Sequence, residues 1–228
     1  MLHFLLVLLL SLKVVIGSNS LLFALKQTIN IPGLVGIRDV LLNKKLLIPT
    51  WSLNSVAELD INELMTLGIK YLVFDKDNTL SLPYGDDIHP LLENKMKEIH
   101  DNFDSRIAIL SNSAGSSDDI DYKDAKKYEN SLGVPVIRHK IKKPGCINEV
   151  LLHFSKKNIK NEEICMIGDR LLTDILFGNQ NGMKTVLVKP LSIINDHPVA
   201  VIIRWFERLF LLPLFRLLNF KFIKKLQK

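Results

Sequence analysis

Four short polar clusters hold the side chains able to do chemistry, and each directly follows an apolar run. Asp75-Lys76-Asp77-Asn78-Thr79 follows Tyr-Leu-Val-Phe, and Ser111-Asn112-Ser113 follows Arg-Ile-Ala-Ile-Leu. Arg138-His139-Lys140-Ile141-Lys142-Lys143-Pro144-Gly145 follows Val-Pro-Val-Ile, and Asp169-Arg170-Leu171-Leu172-Thr173-Asp174 follows Ile-Cys-Met-Ile-Gly. Carboxylates brought to one point repel one another unless a cation lies among them, and hard oxygen ligands favour Mg²⁺. The hydroxyl of Ser111 and the ammonium of Lys143 would complete a site of phosphate size. A metal, charge clamps and a positioned nucleophile are the ingredients of phosphoryl transfer. A carboxylate can itself be that nucleophile, through an aspartyl-phosphate.

The elements that must position these clusters follow from the apolar runs. Residues 71–75, 106–110, 134–137, 164–168 and 185–188 read as strands. They are apolar throughout rather than alternating, the pattern of strands covered on both faces of a parallel sheet. Residues near 89–102, 121–132, 145–158 and 172–181 have helical spacing, with Asp121 as an expected N-cap and Gly133 closing its helix. Strands alternating with helices predict an α/β fold with an open, doubly wound, mainly parallel sheet. Ligands of such sheets sit at the carboxyl ends of the strands. Parallel strands would therefore bring all four clusters to one edge.

Composition bounds the rest. The chain has 228 residues, 47% hydrophobic and 24% charged, which suits a globular domain of about 150 residues with added ends. Cys146 and Cys165 make no disulfide framework and have no metal-ligand spacing. The net charge of +6 is unevenly placed. Residues 1–38 carry Lys13, Lys26 and Arg38 without an acid, and residues 197–228 carry seven cations against Glu207, so the span between is net acidic. Basic residues mixed with Leu, Phe and Ile at the termini argue for an anionic membrane surface, and against nucleic acid, which needs a basic patch on the folded domain.

The first cluster resembles the DxDxT signature of the haloacid dehalogenase superfamily. Ser111, Lys143 and the Asp169…Asp174 pair resemble its second, third and fourth motifs, in the family's order. The resemblance implies that Asp75 attacks phosphorus, while Asp77 protonates the leaving oxygen and then activates water. It implies that Ser111, Asn112 and Lys143 hold the phosphoryl group. It further implies that Asp75, Asp169 and the carbonyl of Asp77 bind Mg²⁺, with Asp174 joining directly or through water. Lys142 is the alternative to Lys143; the family pattern, with lysine directly before Pro-Gly, favours Lys143. Asp75 to Ser111 spans 36 residues and Ser111 to Lys143 spans 32, so neither gap has room for a folded cap domain.

A closer resemblance runs from about residue 30 to residue 198. Residues 30–49 (NIPGLVGIRDVLLNKKLLIP), the DKDNT cluster, Ser111–Gly115 (SNSAG), Arg138-His139 with Lys142-Lys143-Pro144-Gly145, and Gly168–Asp174 (GDRLLTD) are similar to the mitochondrial phosphatidylglycerophosphate phosphatases. That family removes the terminal phosphate of phosphatidylglycerophosphate, giving phosphatidylglycerol for cardiolipin synthesis. Three segments are expected: an apolar targeting or anchoring extension over 1–29, the phosphatase domain over 30–198, and a basic amphipathic tail over 199–228 for peripheral membrane association. Arg138, His139 and Arg170 flank the site and are expected to meet a dianionic lipid headgroup; the plainer reading makes them exposed loop charges. The expected location is the matrix side of the mitochondrial inner membrane, or a secretory or other organelle membrane if residues 1–17 act as a signal peptide. Two competing readings are an uncapped phosphatase acting on a protein, a nucleic-acid end or a soluble phosphomonoester, and a non-catalytic membrane-associated protein of the same fold.

Overall fold

A computed structural model of the chain describes residue 40, residues 43–154 and residues 159–192. The expected terminal extension and basic tail lie outside these residues. Among the described residues five strands form one sheet: β1 (Trp51–Leu53), β2 (Tyr71–Phe74), β3 (Ile107–Ile109), β4 (Ile164–Gly168) and β5 (Lys184–Val188). Their order is β1-β5-β4-β2-β3, and every pairing is parallel. The two strands that end in aspartate clusters, β2 and β4, are neighbours, with Phe74 opposite Ile167.

The α-helices lying within the described residues are α1 (Ile61–Thr66), α2 (Glu93–Phe103), α3 (Lys123–Leu132), α4 (Ile147–His153) and α5 (Leu176–Gln180). Alternate strand residues point to opposite faces. Leu72, Phe74, Ile107, Ile109, Cys165 and Ile167 pack with Ile61 and Leu64 of α1, with Met96, Ile99 and Phe103 of α2, and with Ala125 and Leu132 of α3. Tyr71, Val73, Ala108, Ile164 and Met166 pack with Val150 of α4 and Phe177 of α5. Both faces are thus covered, which is why β2, β3 and β4 are buried at every position. This is the expected doubly wound α/β sheet. Among the described residues, no helix is long and apolar enough to cross a membrane.

Three local expectations need correction. Residues 134–137 do not form a strand; they touch the sheet through a single parallel bridge between Ile109 and Val136. The Pro135 carbonyl accepts from the Ile109 N–H and the Ile137 N–H donates to the Ile109 carbonyl, but Pro135 has no N–H with which to extend the ladder. β1, three residues long, was not expected; it lies at the opposite edge of the sheet, beside β5. Asp121 is not a cap: its φ is +56°, and Asp119 takes the capping role, accepting from the N–H groups of Asp124 and Ala125 at 2.9 Å each. Gly133 closes α3 with φ +65°, as expected.

Candidate active site

The parallel order sends all four polar clusters to the carboxyl edge of the sheet. Asp75 follows β2 directly and its N–H donates to the Ile167 carbonyl, so its backbone is tied to β4 at 2.8 Å. The chain then turns tightly: the Lys76 carbonyl accepts from the N–H groups of Thr79, Leu80 and Ser81. Asn78 takes φ +63°, a left-handed conformation that asparagine tolerates better than most residues. The Asn78 side-chain oxygen accepts from the Ser192 N–H at 2.9 Å, anchoring this turn to the segment after β5.

Asp169 and Asp174 come from the turn after β4. Leu171–Ile175 is a π-helical turn in which the Arg170 carbonyl accepts from both the Asp174 and Ile175 N–H groups. Such wide turns are frequent at functional sites. Here the turn directs Asp174 inward until it is fully buried, with Oδ2 accepting from the Arg170 N–H at 3.1 Å. Asp75, Asp169 and Asp174 are all buried, and one carboxylate oxygen from each lies within 4.8 Å of the others.

Lys143 joins this group from the segment after the Val136 bridge. Its Nζ donates to Asp75 Oδ1 at 2.7 Å and to Asp174 Oδ1 at 2.6 Å, and the side chain is almost completely buried. Burial alone would favour loss of the proton, but the charges of Asp174 and Asp75 outweigh it and hold the ammonium above its usual range. Burial raises the Asp174 carboxyl, Lys143 opposes that rise, and Asp75 adds to it. Lys142, by contrast, is turned outward to Asp118. The geometry separates the two adjacent lysines and puts Lys143 among the carboxylates.

Ser111 is buried, its Oγ accepting from the Ser113 N–H at 3.2 Å and lying 3.0 Å from the Ser113 hydroxyl. Asn112 Oδ1 accepts from the Lys143 N–H at 2.9 Å, so this side chain braces the lysine segment. Gly115 explains how the two loops approach so closely. It has φ +76°, its carbonyl accepts from the His139 N–H, and a Cβ there would lie 2.5 Å from the Ile137 carbonyl oxygen.

Asp77 is half-buried and stands apart from the three-carboxylate group. Its Oδ1 accepts from Lys76 Nζ at 2.8 Å and from the Tyr84 N–H at 3.1 Å. Arg138 turns its guanidinium to the Glu129 carboxylate on α3, with Nη2 2.8 Å from Oε2. His139 is buried with Nδ1 3.1 Å from the Ile137 carbonyl; burial lowers its pKa, and the nearby charge of Lys143 lowers it further. The other ring nitrogen, Nε2, and Nε of Arg170 are buried without hydrogen-bond partners. Both cysteines are free and buried; burial pushes the Cys146 thiol up to about 12 and raises that of Cys165, so neither supplies a thiolate.

Two features escaped sequence reasoning. Lys76 is fully buried although lysine is ordinarily exposed, and Asp119 rather than Asp121 binds three backbone N–H groups, including that of Gly115. The signal for Asp119 was its place four residues after Gly115. Nothing local in the sequence marks Lys76.

The donor set fits a small, hard cation, since three buried carboxylates offer oxygen ligands and no nitrogen or sulfur. Comparison with known proteins agrees in position with this site. The family described as mitochondrial PGP phosphatase matches residues 31–192, which include all four clusters. The chain is 41% identical over 172 residues to phosphatidylglycerophosphate phosphatase 1, chloroplastic/mitochondrial, of Arabidopsis thaliana, covering 74% of this chain and 49% of that protein. It is 40% identical over 163 residues to the chloroplastic phosphatidylglycerophosphate phosphatase 1 of Chlamydomonas reinhardtii, covering 70% of this chain and 59% of that one. The match thus spans only 49% and 59% of the length of those two relatives. With the mitochondrial phosphatidylglycerophosphatase GEP4 of Saccharomyces cerevisiae it is 36% identical over 174 residues, covering 75% of this chain and 93% of the yeast protein. By the extent of the family match and the span shared with the yeast relative, this chain belongs to the mitochondrial PGP phosphatase family.

Proposed function

We propose that the protein hydrolyses the terminal phosphomonoester of phosphatidylglycerophosphate, leaving phosphatidylglycerol for cardiolipin synthesis. The observation that carries this reading is the buried group of Asp75, Asp169 and Asp174 at the carboxyl edge of the sheet, with Lys143 bridging Asp75 and Asp174. The names of the three relatives point to the same lipid.

Asp75, Asp169 and Asp174, with the carbonyl of Asp77, would hold Mg²⁺. When bound, Mg²⁺ supplies charge neutralisation at the phosphoryl oxygens. Asp75, tied to β4 through its N–H, attacks phosphorus and carries the phosphoryl group as an aspartyl-phosphate. Lys143 faces the attacking carboxylate and stabilises negative charge on the transferring group. Ser111 and Asn112 line the same edge and assist in holding the phosphoryl group. Asp77, outside the group of three, gives a proton to the leaving oxygen and then takes one from the attacking water.

The buried, unpartnered nitrogens of Arg170 and His139 suit the oxygens of an anionic headgroup. Arg138, held by Glu129, is the weakest of the three expected headgroup contacts. Among the described residues the loops after β2 and β3 lead into α2 and α3 without a folded cap, which supports a substrate presented at a large surface such as a membrane. Peripheral attachment to the matrix side of the mitochondrial inner membrane, through residues 199–228, completes this reading.

The test is phosphate release from phosphatidylglycerophosphate in mixed micelles with Mg²⁺, wild type beside Asp75→Asn. Release that needs both Asp75 and Mg²⁺, and exceeds release from a water-soluble phosphomonoester, supports reaction and substrate. Turnover of the soluble ester alone would discard the lipid, and turnover of neither would discard the enzyme.

A further inference from the structure

Lys76 stands between the two aspartates of the first cluster, yet it has no exposed surface. Taking an ammonium out of water is costly unless its charge is met and its donors are used. Two groups meet it. Oδ1 of Asp77 lies 2.8 Å from Nζ, and the centroid of the Tyr128 ring on α3 lies 4.0 Å from Nζ. Burial pushes the Tyr128 hydroxyl up to about 12, with Asp77 adding to the rise, so the ring remains a neutral phenol whose face attracts a cation.

Oδ1 of Asp77 also accepts the N–H of Tyr84 at 3.1 Å. Both donors therefore fall on the same oxygen of the carboxyl group. The second buried ammonium, Lys143, is taken by Asp75 and Asp174. Among the described residues the two lysines thus pair with different carboxylates, Lys143 with Asp75 and Asp174 and Lys76 with Asp77.

We propose that Lys76 is a positioning residue for Asp77: its ammonium, seated on the face of Tyr128, holds Oδ1 so that Oδ2 delivers the proton to the leaving oxygen. This rests on the reaction proposed above. In the first step a carboxylate oxygen of Asp75 bonds to phosphorus, the bond from phosphorus to the alcohol oxygen breaks, and the proton on Oδ2 passes to that oxygen. In the second step Oδ2 takes a proton from water, the water oxygen bonds to phosphorus, and the bond to Asp75 breaks. Inorganic phosphate leaves and both carboxyl groups return to their starting state.

Leaving groups separate this role from simple support of the fold. An alkoxide needs a proton as it departs, whereas dinitrophenolate leaves without one. The experiment measures kcat/KM of the full chain with Mg²⁺ on phosphatidylglycerophosphate and on dinitrophenyl phosphate, for wild type, Asp75→Asn, Lys76→Met and Tyr128→Leu. Lys76→Met is expected to lose about 100-fold on the alkyl ester and less than about fivefold on the aryl ester. Tyr128→Leu should shift the ratio in the same direction by a smaller factor, and it carries the comparison if Lys76→Met does not fold. Equal losses on both esters, or no loss on the alkyl ester in either variant, overturn the positioning role. Absence of Asp75-dependent turnover by the wild type on either ester would instead overturn the reaction, and with it this inference.

Discussion

Gly168 and Asp174 occupy each other's space: a Cβ built on Gly168 would lie 2.3 Å from Oδ2 of Asp174. The last residue of β4 therefore has no side chain because a carboxylate from the following turn takes that place. Gly168→Ala must push Asp174 away from Lys143 and from the other two carboxylates. The expected result is a rise of about 10- to 100-fold in the Mg²⁺ concentration giving half-maximal phosphatase activity, measured by Mg²⁺ titration. An unchanged Mg²⁺ requirement would exclude Asp174 from the cation site.

The adjacent lysines should behave as differently as their surroundings. Lys143→Met removes the donor shared by Asp75 and Asp174, and phosphate release should fall about 100- to 1,000-fold. Lys142→Met breaks an outward-facing pair with Asp118, worth about 0–1 kcal/mol, and should leave activity within about threefold of wild type. The reverse pattern would transfer the phosphate-binding role to Lys142.

Cation binding can be read without any substrate. If Asp75, Asp169 and Asp174 hold Mg²⁺ only when folded, Mg²⁺ at about 100 times its Kd should stabilise the protein by about 2.7 kcal/mol. The rise in Tm, followed by circular dichroism or calorimetry, should shrink sharply in Asp169→Asn. Equal shifts in both proteins would place the ion elsewhere.

Asp119 links the loop after β3 to the start of α3 by accepting the N–H groups of Gly115, Asp124 and Ala125. Burial works to raise its pKa, but those bonds and the charge of Arg138 prevail and hold it below the ordinary value of 3.8. A carboxyl depressed on folding contributes stability that is fully present above its unfolded pKa and is lost as pH falls through the folded one. Asp119→Ala should therefore cost about 2 kcal/mol near neutral pH, and the gap to wild type should close as pH drops below 3.8. Denaturant unfolding across pH tests the sign; a gap that widens in acid would contradict it.

Much of the architecture was readable from residue order because β2, β3 and β4 are short, wholly apolar and each end in polar residues. That pattern has one economical solution, a parallel sheet covered on both faces with its chemistry at one edge. Trp51–Leu53 was missed because three residues give too little periodicity to detect. Residues 134–137 were overread because their apolar composition hides what Pro135 cannot donate. Within the site, the cluster of Asp75, Asp169, Asp174 and Lys143 follows from motif order and strand order together. Lys76 could not be foreseen, since its burial depends on Tyr128, a residue of α3 that only the fold brings onto its ammonium.

The placement of β4 between β2 and β5 has a consequence for the life of the polypeptide. The bond from Lys143 to Asp75 bridges 68 residues of sequence, and the bond from Lys143 to Asp174 bridges 31 more. A nascent or unfolded chain does not hold these side chains together. Hydrolysis would therefore report that these distant segments have come together.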